Sequence, residues 1–240
     1  MKKIIFPVFP LILCESFCFT PSKVMVFAYL LLLLPLGSCS QAQESLKNSP
    51  QDSELDRKVK TFLNSKKGQW HDLNVPTSDG QLLYDIIIKN GYKKGLEIGT
   101  STGHSSIWIA WAFSKTGGKL TTIEIDEARH KEALANFKEA GLSEFIDAKL
   151  ADAHVLVKKL EGPFDFVFSD ADKDWYTNYF KDTEPKLASG GCFTAHNVRP
   201  AGRNGMAGAQ AYLEYVMSLK NYETTVDNSG GGLAISYKKR

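Results

Sequence analysis

The stretch Leu96-Glu97-Ile98-Gly99-Thr100-Ser101-Thr102-Gly103 constrains this chain more than any other. Lys93-Lys94-Gly95 leads into a short apolar strand, and Ser105-Ser106-Ile107-Trp108-Ile109-Ala110-Trp111-Ala112-Phe113 follows as the start of a buried helix. The predicted order is therefore strand, tight glycine loop, helix. A glycine loop at such a junction lets backbone N–H groups approach a ligand closely, and the helix N-terminus adds its dipole. Gly99 and Gly103 do not form G-x-G-x-x-G, so the dinucleotide fingerprint is absent. Glu97, at the strand end, would repel a bare phosphate. It suits a ligand with a cation or with hydroxyls to bind.

Downstream, strand and helix patterns alternate. Strands are predicted at 95–98, 120–125, 146–150, 164–169, 192–195, 222–226 and 233–237, and helices at 105–113, 127–140, 155–160, 175–187 and 208–220. Such alternation implies a parallel sheet with helices on both faces. The last two strands have no helix between them. Asp227-Asn228-Ser229-Gly230-Gly231-Gly232 joins them as a hairpin turn. Upstream, Leu55, Val59, Phe62 and Leu63 recur at helical spacing, and Ser78-Asp79-Gly80-Gln81 starts a second helix that ends at Asn90-Gly91.

The first 39 residues read as an extension rather than fold. Lys2-Lys3 precede an apolar run broken by Pro7 and Pro10, and Lys23 precedes a second run that ends in Leu36-Gly37-Ser38-Cys39. A charge, a short apolar core and small residues make a secretory signal. Leu-Gly-Ser-Cys resembles a bacterial lipobox, which implies lipidation at Cys39. An uncleaved anchor, or a true start near Met25 and a cytoplasmic protein, stay open. The expected layout is a signal over 1–39, a polar tether over 40–53 and one domain over 54–240. The extension carries Lys2, Lys3, Lys23 and Glu15. Without it the 29 basic residues fall by 3 to 26 and the 27 acidic by 1 to 26. A neutral domain lacks the basic stripe of a nucleic-acid binder. Cys192 alone remains in the domain, so no internal disulfide is expected.

In open α/β sheets, ligands sit at the carboxyl ends of the strands. Those ends offer Glu97 and the glycine loop, then Glu124, then Asp152, then Asp170-Ala171-Asp172-Lys173-Asp174, then His196-Asn197. Glu124 stands close to the distance after Gly99 at which an acid binds ribose hydroxyls. His154 reads as a surface or helix-start residue. Lys173 is open to simple pairing with Asp172 or Asp174, and Trp175-Tyr176 either stack on a flat acceptor or pack their helix.

The acid-x-Gly-x-x-x-Gly loop resembles the first motif of class I S-adenosylmethionine-dependent methyltransferases. The run Asp-Ala-Asp-Lys-Asp-x-Tyr, followed after the next strand by Asn-Val, resembles the cation-dependent catechol and caffeoyl-CoA O-methyltransferases over roughly residues 70–240. The resemblance implies a Rossmann-like α/β fold, a mostly parallel seven-stranded sheet with a C-terminal antiparallel hairpin. It implies methyl transfer from S-adenosylmethionine to a hydroxyl of a small phenolic or catechol-like acceptor. Carried over by position, Glu97, Gly99, Gly103, Ser105, Glu124, Asp152 and Asp170 fall on cofactor contacts, with Asn74-Val75 in the segment that covers the cofactor. Asp170, His196 and Asn197 fall on metal-ligand sites and Lys173 on the general base.

One position departs from the family, which usually has aspartate where this chain has His196. An imidazole in the set favours Mn²⁺ or another transition ion over Mg²⁺. A metal-free site with His196 as base stays open. So do a degraded, exported cofactor-binding lipoprotein and a metal-independent enzyme for a nitrogen or carboxyl acceptor. Expected partners are a small-molecule acceptor, with a homodimer open, no nucleic acid, and a membrane only through a signal or lipid anchor. S-adenosylmethionine is made in the cytoplasm, so an exported enzyme would need a supply outside. The acceptor pocket is expected between the 70–76 loop, Trp175-Tyr176 and the 199–206 loop with Arg199 and Arg203.

Overall fold

The structure, a computed structural model, describes residues 45–70, 73–199 and 206–240. The expected signal, Cys39 and Arg203 lie outside the described residues. Among those described, no helix is long and apolar enough to cross a membrane.

Seven strands form one sheet in the order β3-β2-β1-β4-β5-β7-β6. They are β1 (Lys94–Ile98), β2 (Lys119–Glu124), β3 (Ile146–Leu150), β4 (Phe164–Ser169), β5 (Leu187–His196), β6 (Tyr222–Asp227) and β7 (Leu233–Lys238). The first five run parallel, and β7 lies antiparallel between β5 and β6. The strand order reverses between β1 and β4, which opens a crevice at their carboxyl ends.

Side-chain alternation along the strands sorts the core into two faces. Leu96, Ile98, Val167 and Phe193 pack under α5 (Ala153–Lys159), α6 (Tyr176–Thr183) and α7 (Ala207–Ser218). Their neighbours Phe166, Phe168 and Cys192 pack under α2 (Thr77–Asn90) and α3 (His104–Thr116). A further cluster joins α1 (Glu54–Ser65) and α4 (Glu127–Ala140) to α3 through Phe62, Phe137 and Trp108. The period of two in a strand produces this division.

Three expectations need correction. The helix expected over 175–187 is broken into a 3₁₀ turn (Lys173–Trp175), α6, and a second 3₁₀ turn (Glu184–Lys186). Pro185 lies in the first residues of that second turn and has no N–H to continue a helical ladder. Strand β5 starts at Leu187 rather than 192 and carries Gly190 and Gly191 within it. Finally, the described part of the expected tether is docked, not free. The Asn64 side chain accepts from Leu46 N at 3.0 Å and donates to its carbonyl at 2.8 Å. Lys60 reaches Asp52 at 2.6 Å.

Candidate active site

A cavity of about 570 Å³ lies over the carboxyl ends of β1 to β5. Of the residues singled out from the sequence, Asn74, Gly99, Glu124, Asp152, Asp170, Lys173, His196 and Asn197 line it. At Gly99 φ is +99°, and a Cβ would stand 2.8 Å from the Asp170 carbonyl oxygen. A side chain there would wedge the first loop away from the fourth, so glycine lets the two walls meet.

Glu124 ends β2 with its carboxylate already oriented. Oε2 accepts from Ser101 N at 2.7 Å, and Oε1 from Ile125 N and Asp126 N at 3.0 and 2.9 Å. A carboxylate has about four acceptor positions, so capacity remains for hydroxyls in the cavity. Asp152 caps α5, accepting from His154 N at 2.8 Å. His154 lines the cavity, with its ring against Trp175 at 4.4 Å. Asn197 follows β5 in the left-handed region, φ 56°.

Four residues expected at the cofactor do not line the cavity. Strand alternation turns Glu97 away from the cavity, under the first turn of α3, where it is fully buried. Ser105 Oγ donates to it at 2.6 Å, Thr122 Oγ1 at 2.5 Å, and Ser106 Oγ also donates. Burial raises its pKa, the three hydroxyls lower it, and the balance is about 7. Ser105 is thereby a partner of Glu97. Gly103 is tight against the Phe137 ring, not against the cavity.

Val75 is buried, and its carbonyl is 2.9 Å from His104 Nδ1. Trp108 Nε1 donates to His104 Nε2 at 3.2 Å. Nδ1 is therefore the protonated nitrogen, and burial lowers the pKa of His104 to about 4. Trp70 stacks on this imidazole at 4.6 Å. These contacts pin the Asn74-Val75 segment beside the cavity. Trp70 is spent on that contact, and Tyr176 is fully buried with its hydroxyl donating to the His196 carbonyl at 3.0 Å. Neither lines the cavity. Leu73 and Met206 do.

The acidic run after β4 and the end of β5 meet in a chain of charges. Lys173 Nζ is 2.5 Å from Asp170 Oδ1, so it pairs with neither Asp172 nor Asp174. His196 Nδ1 is 3.1 Å from Asp170 Oδ2, and its Nε2 is 2.8 Å from Asp79 Oδ2. Burial alone would lower the pKa of His196, but hydrogen bonds and charge from Asp170 and Asp79 raise it to about 9. Asp79 was legible only as part of a helix start. Because α2 runs antiparallel into β1, its first turn arrives at the carboxyl edge of the sheet, and this topology was the available signal.

The divalent ion implied by the resemblance does not fit this donor set. Both nitrogens of His196 and both oxygens of Asp170 are engaged within the protein. Among the described residues no group of three or more His, Cys, Asp or Glu side chains is arranged to hold a metal ion.

A parallel sheet closed by an antiparallel hairpin, with the cavity at its switch point, defines a Rossmann-like methyltransferase architecture. Solved O-methyltransferases share it. TomG from Streptomyces achromogenes, in complex with SAM, superposes with a TM-score of 0.65 at 24% identity, over 79% of this chain and 92% of that one. The Bacillus cereus enzyme, in complex with SAH, gives 0.64 at 23% identity with the same coverages. The chain belongs to the O-methyltransferase family, whose sequence model matches residues 46–222. It is 35% identical over 130 residues to a catechol O-methyltransferase from Niastella koreensis, covering 52% of this chain and 58% of that one. It is 32% identical over 138 residues to caffeoyl-CoA O-methyltransferase 2 of Petunia hybrida, covering 55% and 57%. The chain thus spans somewhat over half the length of these relatives.

Proposed function

We propose that the chain binds S-adenosylmethionine in the cavity and transfers its methyl group to a hydroxyl oxygen of a small, phenolic acceptor. The observation that carries this reading is Glu124, fixed by three backbone N–H groups at the end of β2 and facing a cavity of ligand size. It would take the ribose hydroxyls, with Asp152 and His154 on the adenine side. The Gly99 loop and Asn74 would flank the methionine portion.

Transfer requires an acceptor oxygen that carries, or gains, negative charge, because the sulfonium methyl is electrophilic. Lys173 Nζ stands at the cavity wall, held by Asp170. Once its ammonium has given a proton to solvent, the amine donates one N–H to Asp170 and turns its lone pair to the acceptor. The acceptor O–H bond breaks and its proton goes to Lys173. The oxygen then forms a bond to the methyl carbon while the carbon–sulfur bond breaks, its electron pair staying on sulfur. The products are the methyl ether, neutral S-adenosylhomocysteine and a protonated lysine.

Calorimetry of the full chain with S-adenosylmethionine and S-adenosylhomocysteine tests the reading. Glu124→Ala should weaken binding by about 1–3 kcal/mol, the cost of leaving buried partners unpaired. Equal affinity in wild type and variant would move the ribose site away from β2, and no binding at all would remove the proposal.

A further inference from the structure

We propose that this site works without a divalent cation, its place in the chemistry taken by the chain's own Asp79–His196–Asp170–Lys173 array. The inference rests on the methyl-transfer reading for its consequence, but its physical content is separate.

The first argument is donor supply. A carboxylate oxygen accepts hydrogen bonds and donates none, so a ring nitrogen within hydrogen-bond distance of one must carry a hydrogen. His196 makes two such contacts, at 3.1 and 2.8 Å. With both nitrogens donating, it has no lone pair for a metal. A metal-binding histidine keeps one nitrogen for the ion and gives only the other to a carboxylate.

Charge balance is the second. Asp79, His196, Asp170 and Lys173 alternate minus, plus, minus, plus, and sum to zero with no ion present. Asp79 is fully buried, on an element far away in sequence. If position 196 held an aspartate, two carboxylates would face each other in the interior, which is costly without a cation between them. Histidine at 196 and aspartate at 79 are thus a matched pair.

The hairpin turn supplies a third, independent argument. Gly231 N donates to Asp79 Oδ2 at 2.8 Å. A Cβ on Gly230 would overlap Asp79 Oδ1, and one on Gly231 would overlap His196 Nε2. The glycines of the β6–β7 turn are pressed onto this pair and close over it on the Nε2 side of His196. Space for an ion and its waters on that side of His196 is filled by backbone.

Two consequences follow for catalysis. His196 is a positioning residue: it orients Asp170, which in turn aims Lys173. And since no ion is there to be chelated, the acceptor needs only one acidic hydroxyl, with no neighbouring donor.

The test uses the full chain, stripped with chelator and titrated with Mn²⁺, the free ion being read by electron paramagnetic resonance. Wild type should leave the free Mn²⁺ signal undiminished, with or without S-adenosylhomocysteine. The double variant Asp79→Asn, His196→Asp should remove about one ion per chain from solution. Uptake of one Mn²⁺ by wild type, lost in Asp170→Asn, would overturn the proposal. So would a folded double variant that takes up none. Should the double variant not fold, nitrogen resonances of the His196 ring in wild type near neutral pH decide. Two protonated nitrogens are expected, and one bare nitrogen overturns the proposal. Cofactor calorimetry on the same preparation keeps failure of the methyl-transfer reading distinct from failure of this one.

Discussion

Glu97 lies at the heart of the glycine-loop motif, yet its carboxylate is fully buried, with its partners on α3 and β2 rather than in the cavity. Its pKa in the fold is about 7, against an ordinary value of 4.5. Burial is the largest cause, the charge of Asp170 raises it further, and the three hydroxyls oppose both. A folded-state pKa above the unfolded one means that the native protein holds a proton the unfolded chain gives up. The stabilising contribution is complete below about pH 4.5 and is lost as pH rises through about 7. At about 1.4 kcal/mol per pH unit, that difference amounts to about 3 kcal/mol.

Glu97→Gln keeps the length but replaces the carboxyl with a neutral amide that cannot titrate, so its stability lacks this dependence on pH. The assay is urea unfolding of both proteins at steps from about pH 4.5 to pH 8, with the wild-type minus variant difference plotted against pH. The difference should fall by about 3 kcal/mol towards high pH. Subtraction removes the other titrating groups. His104, depressed to about 4, costs stability only as pH falls, and His196, raised to about 9, only as pH rises beyond its unfolded value of 6.5. Parallel curves would refute the reasoning, because they would mean that Glu97 titrates alike in the folded and the unfolded chain.

Two further outcomes follow. Lys173→Ala should lower turnover on a phenol panel by about 10²–10⁴-fold, the usual size of general-base assistance, with cofactor affinity in calorimetry unchanged. A parallel loss of affinity would make Lys173 structural. If residues 1–39 direct export, mass spectrometry of the membrane fraction should find an acyl modification at Cys39 that disappears in Cys39→Ser. A full-length soluble protein without it would reject both export and lipidation.

The sheet was legible because each strand declares itself twice, by apolar period and by the turn residues that bound it. β3 and β4 fall on the predicted residues, while β5 extends five residues earlier because its Ser189-Gly190-Gly191 stretch has no strand-like side chains. The strand-end acids were legible by the same logic, since topology brings every carboxyl end to one crevice. Their orientation was not. Glu97 and Glu124 both lie at carboxyl ends of strands, one turned beneath α3 and the other lining the cavity. Which face a residue takes depends on its position relative to the pleat. The flanking helices then decide what each face meets.

The departure at position 196 was visible in the sequence, but its meaning was not, because its partner is 117 residues away. Read alone, an imidazole among metal-ligand positions suggests a softer ion. Read with Asp79 it carries the opposite implication. A neutral histidine offers a metal one lone pair. A histidine clamped by two carboxylates offers none, and contributes a positive charge of its own. Asp79 is a strand-end acid in every respect except that it is on a helix, the one whose first turn is brought to the same edge by running back into β1. The glycines of the last turn then close over the pair. Chemistry at this edge is therefore set by three segments, two of them from the ends of the domain, and only the middle one carries a motif.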